Sequence, residues 1–275
     1  MPELPEVETV KRSLEKLITG LTIINVDVLM PKIIKSHTAQ DFKKLLMGSE
    51  IKKLGRRGKY LLVYLSANKV LVIHLRMTGR LVLLKDNAEL PKYTHVIFYL
   101  ENDKRLIFAD MRQFGRIDLL PEEELANMPG LKKLGPEPLE KKFNPEYLKK
   151  ELKRRRTKIK ALLLDQTFVA GLGNIYADEA LHLAKVHPER PARDLTAEEI
   201  VNLYNAIVTV LRQGIKNRGT SFSDYVDGEG NTGSNQNMLK VYRREGKPCH
   251  CCGSIIKRKK VAGRSSCFCP QCQQL

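Results

Sequence analysis

No stretch of the 275-residue chain comes near the ~18 consecutive apolar residues that a membrane-spanning helix requires, which argues against a transmembrane segment. Nor does the opening read as a secretory leader. The chain opens Met1-Pro2-Glu3-Leu4-Pro5-Glu6, acidic and prolyl where a signal peptide is basic and then apolar. No internal repeat is evident. Cysteine is absent from the first 248 residues, and all six lie between Cys249 and Cys272. Acid is scarce, with 31 Asp+Glu against 48 Lys+Arg, a net charge of +17. These absences point to a soluble intracellular protein in a reducing compartment, where clustered cysteines bind metal rather than form disulfides. The cationic surplus calls for a polyanionic partner, and nucleic acid is favoured over a ribosomal or membrane-surface role.

Apolar residues make up 42% of the chain, enough to build packed cores. Residues 5–18 read as a helix. Val7, Val10, Leu14, Leu17 and Ile18 share one face, and proline and glutamate crowd the first turn. From about 22 to 120 the texture changes to short β-type runs at 23–28, 60–65, 70–75, 81–84, 95–100, 106–108 and 117–120. That spacing predicts an antiparallel sandwich or barrel. Residues 121–138 form a proline- and glycine-punctuated linker, and 144–218 are predicted helical. The polar, glycine-rich stretch 217–237 is too long for an ordinary connection, so it is either a mobile functional loop or a disordered spacer.

Three motifs carry chemistry. Cys249-x-x-Cys252, sixteen residues, then Cys269-x-x-Cys272 is the spacing of a tetrahedral zinc site built from two thiolate pairs. Four protein ligands leave no position for water, so the metal is structural. Cys251 and Cys267 compete for ligand places, but the paired spacing favours the four named. Between the pairs lies Lys257-Arg258-Lys259-Lys260, then Arg264, a basic ribbon suited to gripping DNA, although a charge run of this kind is also common on a merely solvated face. Residues 149–160 hold eight further Lys or Arg and precede the turn Gly171-Leu172-Gly173-Asn174, whose backbone N–H groups suit a phosphate. The third motif is the chain start. Removal of Met1 would leave Pro2 with a secondary α-amine, which titrates near ~7.7–8.0, far below lysine. Such an amine is partly uncharged at neutral pH and can attack a sugar C1′, with Glu3 beside it to shuttle protons. Plain helix initiation by proline and glutamate explains the same residues equally simply.

Met1-Pro2-Glu3-Leu4-Pro5-Glu6-Val7-Glu8 closely resembles the opening of the formamidopyrimidine-DNA glycosylases, bacterial enzymes that remove 8-oxoguanine and ring-opened purines. Gly58-Lys59-Tyr60, His74-Leu75-Arg76-Met77-Thr78-Gly79, Arg112-Gln113-Phe114-Gly115, Gly173-Asn174-Ile175-Tyr176 and the cysteine module extend the likeness, in the family's order, over essentially the whole chain. The resemblance implies an α+β multidomain fold: an N-terminal antiparallel β-sandwich with flanking helices (1–135), a helix-two-turn-helix domain (136–238) with a lesion-capping loop (217–237), and a β-ribbon zinc finger (239–275). It implies one structural Zn²⁺, no other cofactor, and a monomer in the cytoplasm, associated with the nucleoid, acting on double-stranded DNA that contains oxidised purines.

By the same likeness Pro2 is the Schiff-base nucleophile, Glu3 the proton donor, Glu6 a support of that pocket, Lys59 the group for β-elimination and Arg264 the group for δ-elimination. Met77, Arg112 and Phe114 match the trio that fills the hole left by a flipped base. His74, Tyr93, His95, Arg156, Lys160, Asn174 and Thr220 map to DNA-contacting positions. Three departures stand out: Tyr93 where histidine is frequent, Gln113 where a basic residue is usual, and Thr78 with the Phe222-Ser223-Asp224 segment, which differ from some members of the family. Endonuclease VIII, which acts on oxidised pyrimidines, shares the nucleophile but usually has Gly at the position of Leu4 and lacks the 112–114 pattern. A non-catalytic binder of damaged DNA is the alternative of a different class.

Overall fold

The computed structural model describes all 275 residues, Met1–Leu275, and they divide into two compact units. The first unit comprises Met1–Lys132 and Ile215–Gln236. Its opening helix α1 (Leu4–Ile18) carries Pro5 in the first turn and a capping box, in which the Glu6 side chain accepts the Glu3 backbone N–H at 2.8 Å. Eight strands follow: β1 (Ile23–Val28), β2 (Ile51–Arg57), β3 (Tyr60–Leu65), β4 (Lys69–His74), β5 (Gly79–Lys85), β6 (Thr94–Leu100), β7 (Lys104–Asp110) and β8 (Arg116–Pro121). A short helix, α2 (Ala39–Leu46), lies between the first two, capped by Thr38 and burying Phe42 and Leu46.

The strands form two four-stranded antiparallel sheets, ordered β1-β6-β7-β5 and β2-β3-β4-β8. Val26, Leu81, Phe98 and Phe108 of one sheet share a single buried cluster with Leu54, Leu61, Val63, Ile73 and Ile117 of the other, joined by Val7, Val10, Leu14 and Ile18 from α1. The choice between sandwich and barrel is thereby decided: two separate sheets pack over one core. The first of its two segments ends with α3 (Pro129–Lys132).

The second unit comprises Lys133–Gly214 and Asn237–Leu275. Its helices are α4 (Pro145–Leu152), α5 (Ile159–Leu164), α6 (Asn174–Leu183) and all but the last turn of α7 (Ala197–Lys216). A turn at 166–168 and a bend at 169–171 join α5 to α6. At the end of the chain β9 (Lys257–Val261) and β10 (Arg264–Phe268) pair as an antiparallel ribbon. No helix is long and apolar enough to cross a membrane.

Elements α2, β2 and α3 fall where the sequence pattern predicts none. Apart from a 3₁₀ helix at Asn235–Met238, residues 217–237 form no regular element, yet they are held by defined hydrogen bonds: Gly228 N–H to Ser13 Oγ at 2.9 Å, Gly233 N–H to Ser221 Oγ at 2.9 Å, and Asn235 Nδ2 to Thr220 Oγ1 at 2.9 Å.

Candidate active site and nucleic-acid interface

At the start of α1, Pro2, Glu3 and Glu6 are all buried. Glu6 is the local organiser. One carboxylate oxygen accepts the Glu3 N–H at 2.8 Å and the other accepts the Thr220 N–H at 2.8 Å. The residue next to Pro2 and the beginning of the 217–237 stretch are therefore fixed by one side chain. Gly219 permits this approach: its φ is +83°, and a Cβ there would lie 2.9 Å from the Tyr225 ring and 3.0 Å from Glu6 Cγ. Tyr225 itself is buried, and its hydroxyl donates to the Arg218 carbonyl at 3.1 Å.

Lys59 lies in the two-residue turn between paired Arg57 and Tyr60, where Gly58 has φ +55°. A positive φ at the first turn position is what a II′-type hairpin needs, and only glycine adopts it without strain. Arg56 locks this turn to α1, its Nε donating to Glu8 at 2.9 Å and its Nη1 to the Gly58 carbonyl at 3.0 Å. Burial works to raise the Glu8 pKa, but the hydrogen bonds and charges of Arg56 and Arg12 outweigh it and hold the carboxyl below its ordinary value.

His74 ends β4, buried, with its ring edge-on to Tyr60 at 4.6 Å. Burial, then the charges of Arg76, Lys59 and Arg116, push its pKa down from 6.5 to about 3. Its Nδ1 accepts the Arg76 N–H at 3.0 Å, so the single proton of the neutral ring sits on Nε2. Between about pH 3 and 6.5 the unfolded chain binds a proton here that the folded chain does not. The His74 contribution is therefore complete above pH 6.5 and is lost on acidification, by up to ~1.4 kcal/mol per pH unit. In thermal melts from pH 7 to pH 5, His74→Gln is expected to lose less stability than the unsubstituted protein. Parallel curves for the two proteins would show that His74 titrates normally.

Three loops present exposed side chains next to these strands. Met77 is 39% exposed and Phe114 55%, values unusual for large apolar residues in a packed protein. The Arg112 guanidinium lies over the Phe114 ring, 4.9 Å from its centroid. Arg76, Gln113 and Tyr93 all have φ near +60°. Left-handed backbone at three non-glycine residues costs of order 1 kcal/mol each and persists only where the surroundings enforce it. Gln113 accepts a hydrogen bond from Lys32 at 2.5 Å, which brings a cation to a position whose own side chain carries none.

In the second unit, Asn174 opens α6, and its Nδ2 donates to the Ser265 carbonyl at 2.9 Å, tying the helix start to the strand that bears exposed Arg264. Asp178, one turn on, accepts Ser266 Oγ at 2.6 Å and the Cys267 N–H at 3.1 Å. Glu179 accepts the N–H groups of Lys240, Val241 and Tyr242 at 2.8–2.9 Å. Burial pushes the Glu179 pKa up against these three donors. Adjacent carboxylates on one helix thus hold both edges of the C-terminal module. Arg156 is exposed.

Two expected DNA contacts are internal instead. Lys160 has no exposed surface, because its ammonium is ion-paired with Asp178. A bare ammonium in that interior would be costly, and the pair compensates it. His95 is 4% exposed and donates its Nε2–H to the Asp110 carbonyl at 2.7 Å, so that proton is already used inside the protein. Thr220 is also buried, with both its N–H and its hydroxyl engaged.

The sulfurs of Cys249, Cys252, Cys269 and Cys272 converge, all within 4.8 Å of one another. Individual Sγ–Sγ separations are 3.4 Å (252–269), 3.5 Å (252–272) and 4.0 Å (249–272). A zinc–sulfur bond of ~2.3 Å in a tetrahedron places sulfurs about 3.8 Å apart, and these spacings bracket it. The Cys251 and Cys272 N–H groups point at Cys249 and Cys269 sulfurs at 3.4 Å, a further support for thiolates. The four cysteines fit one structural zinc. Cys267 lies outside the set, its backbone bound to Asp178, and Cys251 is exposed. Missed in the sequence was His182, whose Nε2 lies 3.5 Å from Cys249 Sγ.

A buried prolyl chain start on a β-sandwich and a four-cysteine ribbon docked on a helical unit define a zinc-finger protein of nucleic-acid type. Residues 1–117 match the formamidopyrimidine-DNA glycosylase N-terminal domain, 134–226 its H2TH domain, and 246–275 the zinc finger found in FPG and IleRS. A formamidopyrimidine-DNA glycosylase from Desulforamulus reducens is 60% identical over 275 residues, 100% of this chain and 99% of that protein. One from Pelotomaculum thermopropionicum is 56% identical, with full coverage of both. Among solved structures, a mutant of the Lactococcus lactis FPG in complex with a Fapy-dG containing DNA superposes with a TM-score of 0.94, at 41% identity and full coverage of both chains. The Lactococcus lactis Fpg complex with an abasic site containing DNA also gives 0.94, at 41% identity over 99% of this chain and 100% of that one. The chain belongs to the formamidopyrimidine-DNA glycosylase family.

Proposed function

We propose that this protein excises oxidised purines, 8-oxoguanine and formamidopyrimidines, from double-stranded DNA and then cuts the strand, using Pro2 as nucleophile once Met1 is removed. The observation that carries the reading is the buried proline at the chain start, with Glu6 joining its neighbour Glu3 to Thr220. The damaged nucleotide leaves the stack at a cost of a few kcal/mol, which damage itself lowers. Pro2 N forms a bond to C1′ as the C1′–base bond breaks and the base departs with a proton. Glu3 supplies a proton to the sugar ring oxygen, and the ring opens to a permanently cationic iminium. That charge acidifies C2′, and loss of its proton expels the 3′ phosphate. A second elimination expels the 5′ phosphate and leaves a gap with phosphates at both ends. Lys59 serves the first elimination and Arg264 the second.

Met77, Arg112 and Phe114 occupy the vacated place in the duplex, with Phe114 wedging between bases and Arg112 hydrogen-bonding the widowed cytosine. His74, Tyr93, Asn174 and Arg156 hold phosphates, and the 217–237 stretch beginning near Thr220 covers the extruded base. The domain reading of 1–135, 136–238 and 239–275 puts the nucleophile, the first elimination and the duplex-filling trio in the first part, Asn174 and Arg156 in the second, and Arg264 in the third. Zinc, held by Cys249, Cys252, Cys269 and Cys272, supplies only rigidity to the ribbon. The protein acts as a monomer in the cytoplasm, on the nucleoid.

The Lactococcus lactis enzyme has also been crystallised with an oxidized pyrimidine containing DNA, so the lesion range needs a direct test. Borohydride trapping across a panel is expected to give strong adducts with 8-oxoguanine and formamidopyrimidine duplexes and weak ones with thymine glycol. The reverse order would assign the endonuclease VIII type of substrate, and no adduct at all would favour a binding protein.

A further inference from the structure

We propose that Asp110 is the positioning residue on which the three duplex-probing loops are hung, with Thr78 as its partner; this rests on the reading that Met77, Arg112 and Phe114 fill the hole left by the base. Asp110 ends β7 and is 1% exposed. One carboxylate oxygen accepts the Thr78 hydroxyl at 2.5 Å and the Arg112 N–H at 3.2 Å, and the other accepts the Gly115 N–H at 2.7 Å. Thr78 Oγ1 in turn accepts the Arg112 N–H at 3.0 Å. The Asp110 backbone extends the set. Its N–H donates to the Tyr93 carbonyl at 3.0 Å, and its carbonyl accepts His95 Nε2 at 2.7 Å and the Gln113 N–H at 3.2 Å.

Met77 is carried by the turn that Thr78 anchors, Arg112 and Phe114 by the loop whose two ends the carboxylate grips, and Tyr93 by the turn that meets the Asp110 N–H. These are the loops in which Arg76, Gln113 and Tyr93 take left-handed backbone, so the Asp110 carboxylate offsets strain in the first two and its backbone N–H holds the third. Wedge side chains lose their use when displaced by an ångström, whereas a sugar already exposed needs no wedge.

The test uses Asp110→Asn, Thr78→Val and Thr78→Ser in the full chain. An asparagine at 110 must turn its NH₂ towards either the Gly115 or the Arg112 N–H, leaving a buried donor unpaired. Valine removes the shared hydroxyl, and serine keeps it. Excision of 8-oxoguanine opposite cytosine is expected to fall roughly 10–100-fold in Asp110→Asn and Thr78→Val, the scale of a misplaced group. Discrimination between cytosine and adenine opposite the lesion should shrink with it, and Thr78→Ser should restore both. Cleavage of a single-stranded oligonucleotide with a preformed abasic site should stay within about threefold. Should Asp110→Asn fail to fold, the Thr78 pair alone decides. Unchanged excision and opposite-base discrimination in Thr78→Val would overturn the proposal, as would an equal loss on the single-stranded substrate. Failure of the unsubstituted protein on both substrates would instead overturn the proposed function beneath it.

Discussion

A chain that keeps its initiator methionine is expected to bind lesion-containing duplex and to cut nothing. Retention is easily arranged by placing a lysine between Met1 and Pro2, since a bulky second residue blocks methionine removal. The proline nitrogen then remains an amide, its lone pair delocalised into the carbonyl, and it cannot attack C1′. Excision and strand cleavage should drop by roughly three orders of magnitude or more, the scale on which loss of a covalent nucleophile acts. Binding to a duplex with a non-hydrolysable abasic analogue should change by less than about tenfold, because the residues proposed to hold phosphates lie elsewhere on the chain. Glu3 and Glu6 would still cap α1, so the melting temperature should barely move. Full activity in a protein shown by intact mass to carry the extra residues would refute a role for Pro2.

Removing the metal, or one of its ligands, should cost DNA affinity before it costs the sandwich. The core of the C-terminal module is only Val241, Cys249, Ile256, Cys267 and Cys269, with Cys272 packed against it, and two of the five buried members are metal ligands. So few apolar contacts cannot hold β9 and β10 in register alone, and structural zinc characteristically supplies about 10–16 kcal/mol to such modules. With the ribbon melted, Arg264 and the Lys257–Val261 strand lose their fixed placement. Cys252→Ser, or prolonged chelation, is expected to weaken binding to abasic duplex by about 100-fold and to flatten its salt dependence. Zinc should restore the chelated protein but not the variant. The first unit has its own core and should melt at nearly its original temperature. Undiminished affinity in metal-free protein would show that the ribbon contributes nothing to DNA binding.

The two ends of the chain were the most legible in sequence, for different reasons. Two CxxC pairs carry their geometry in their spacing, and the sulfurs converge as that spacing implies. At the other end, proline and glutamate in the first turn announced a helix, and α1 begins there with its capping box. The run at 60–65 is observed as β3, and most other apolar runs fall within a residue or two of real strands. Strand β2 escaped because its sequence, IKKLGRR, is that of a sheet edge: Ile51 and Leu54 face inward while Lys52 and Lys53 stay in water, so no apolar run marks it. The 217–237 stretch reads as a mobile loop or spacer because its order comes from side-chain bonds within itself, such as Asn235 to Thr220, and from Glu6 and Ser13 more than 200 residues away, none of which leaves a periodic pattern. Lys160 sat in a basic run and read as surface. Only its pairing with Asp178, across the α5–α6 turns, turns it inward. Asp110 was readable in part, since an aspartate two residues before Arg112 is the spacing of a side chain that caps its own turn.

The position of the reduced cross-link tests the role of Pro2 most directly. Borohydride-trapped complex with an 8-oxoguanine duplex, digested and mapped by mass, is expected to carry the sugar remnant on the N-terminal peptide, on the nitrogen of Pro2 with Met1 gone. Attachment to the side chain of Lys59, or of any other lysine, would contradict it.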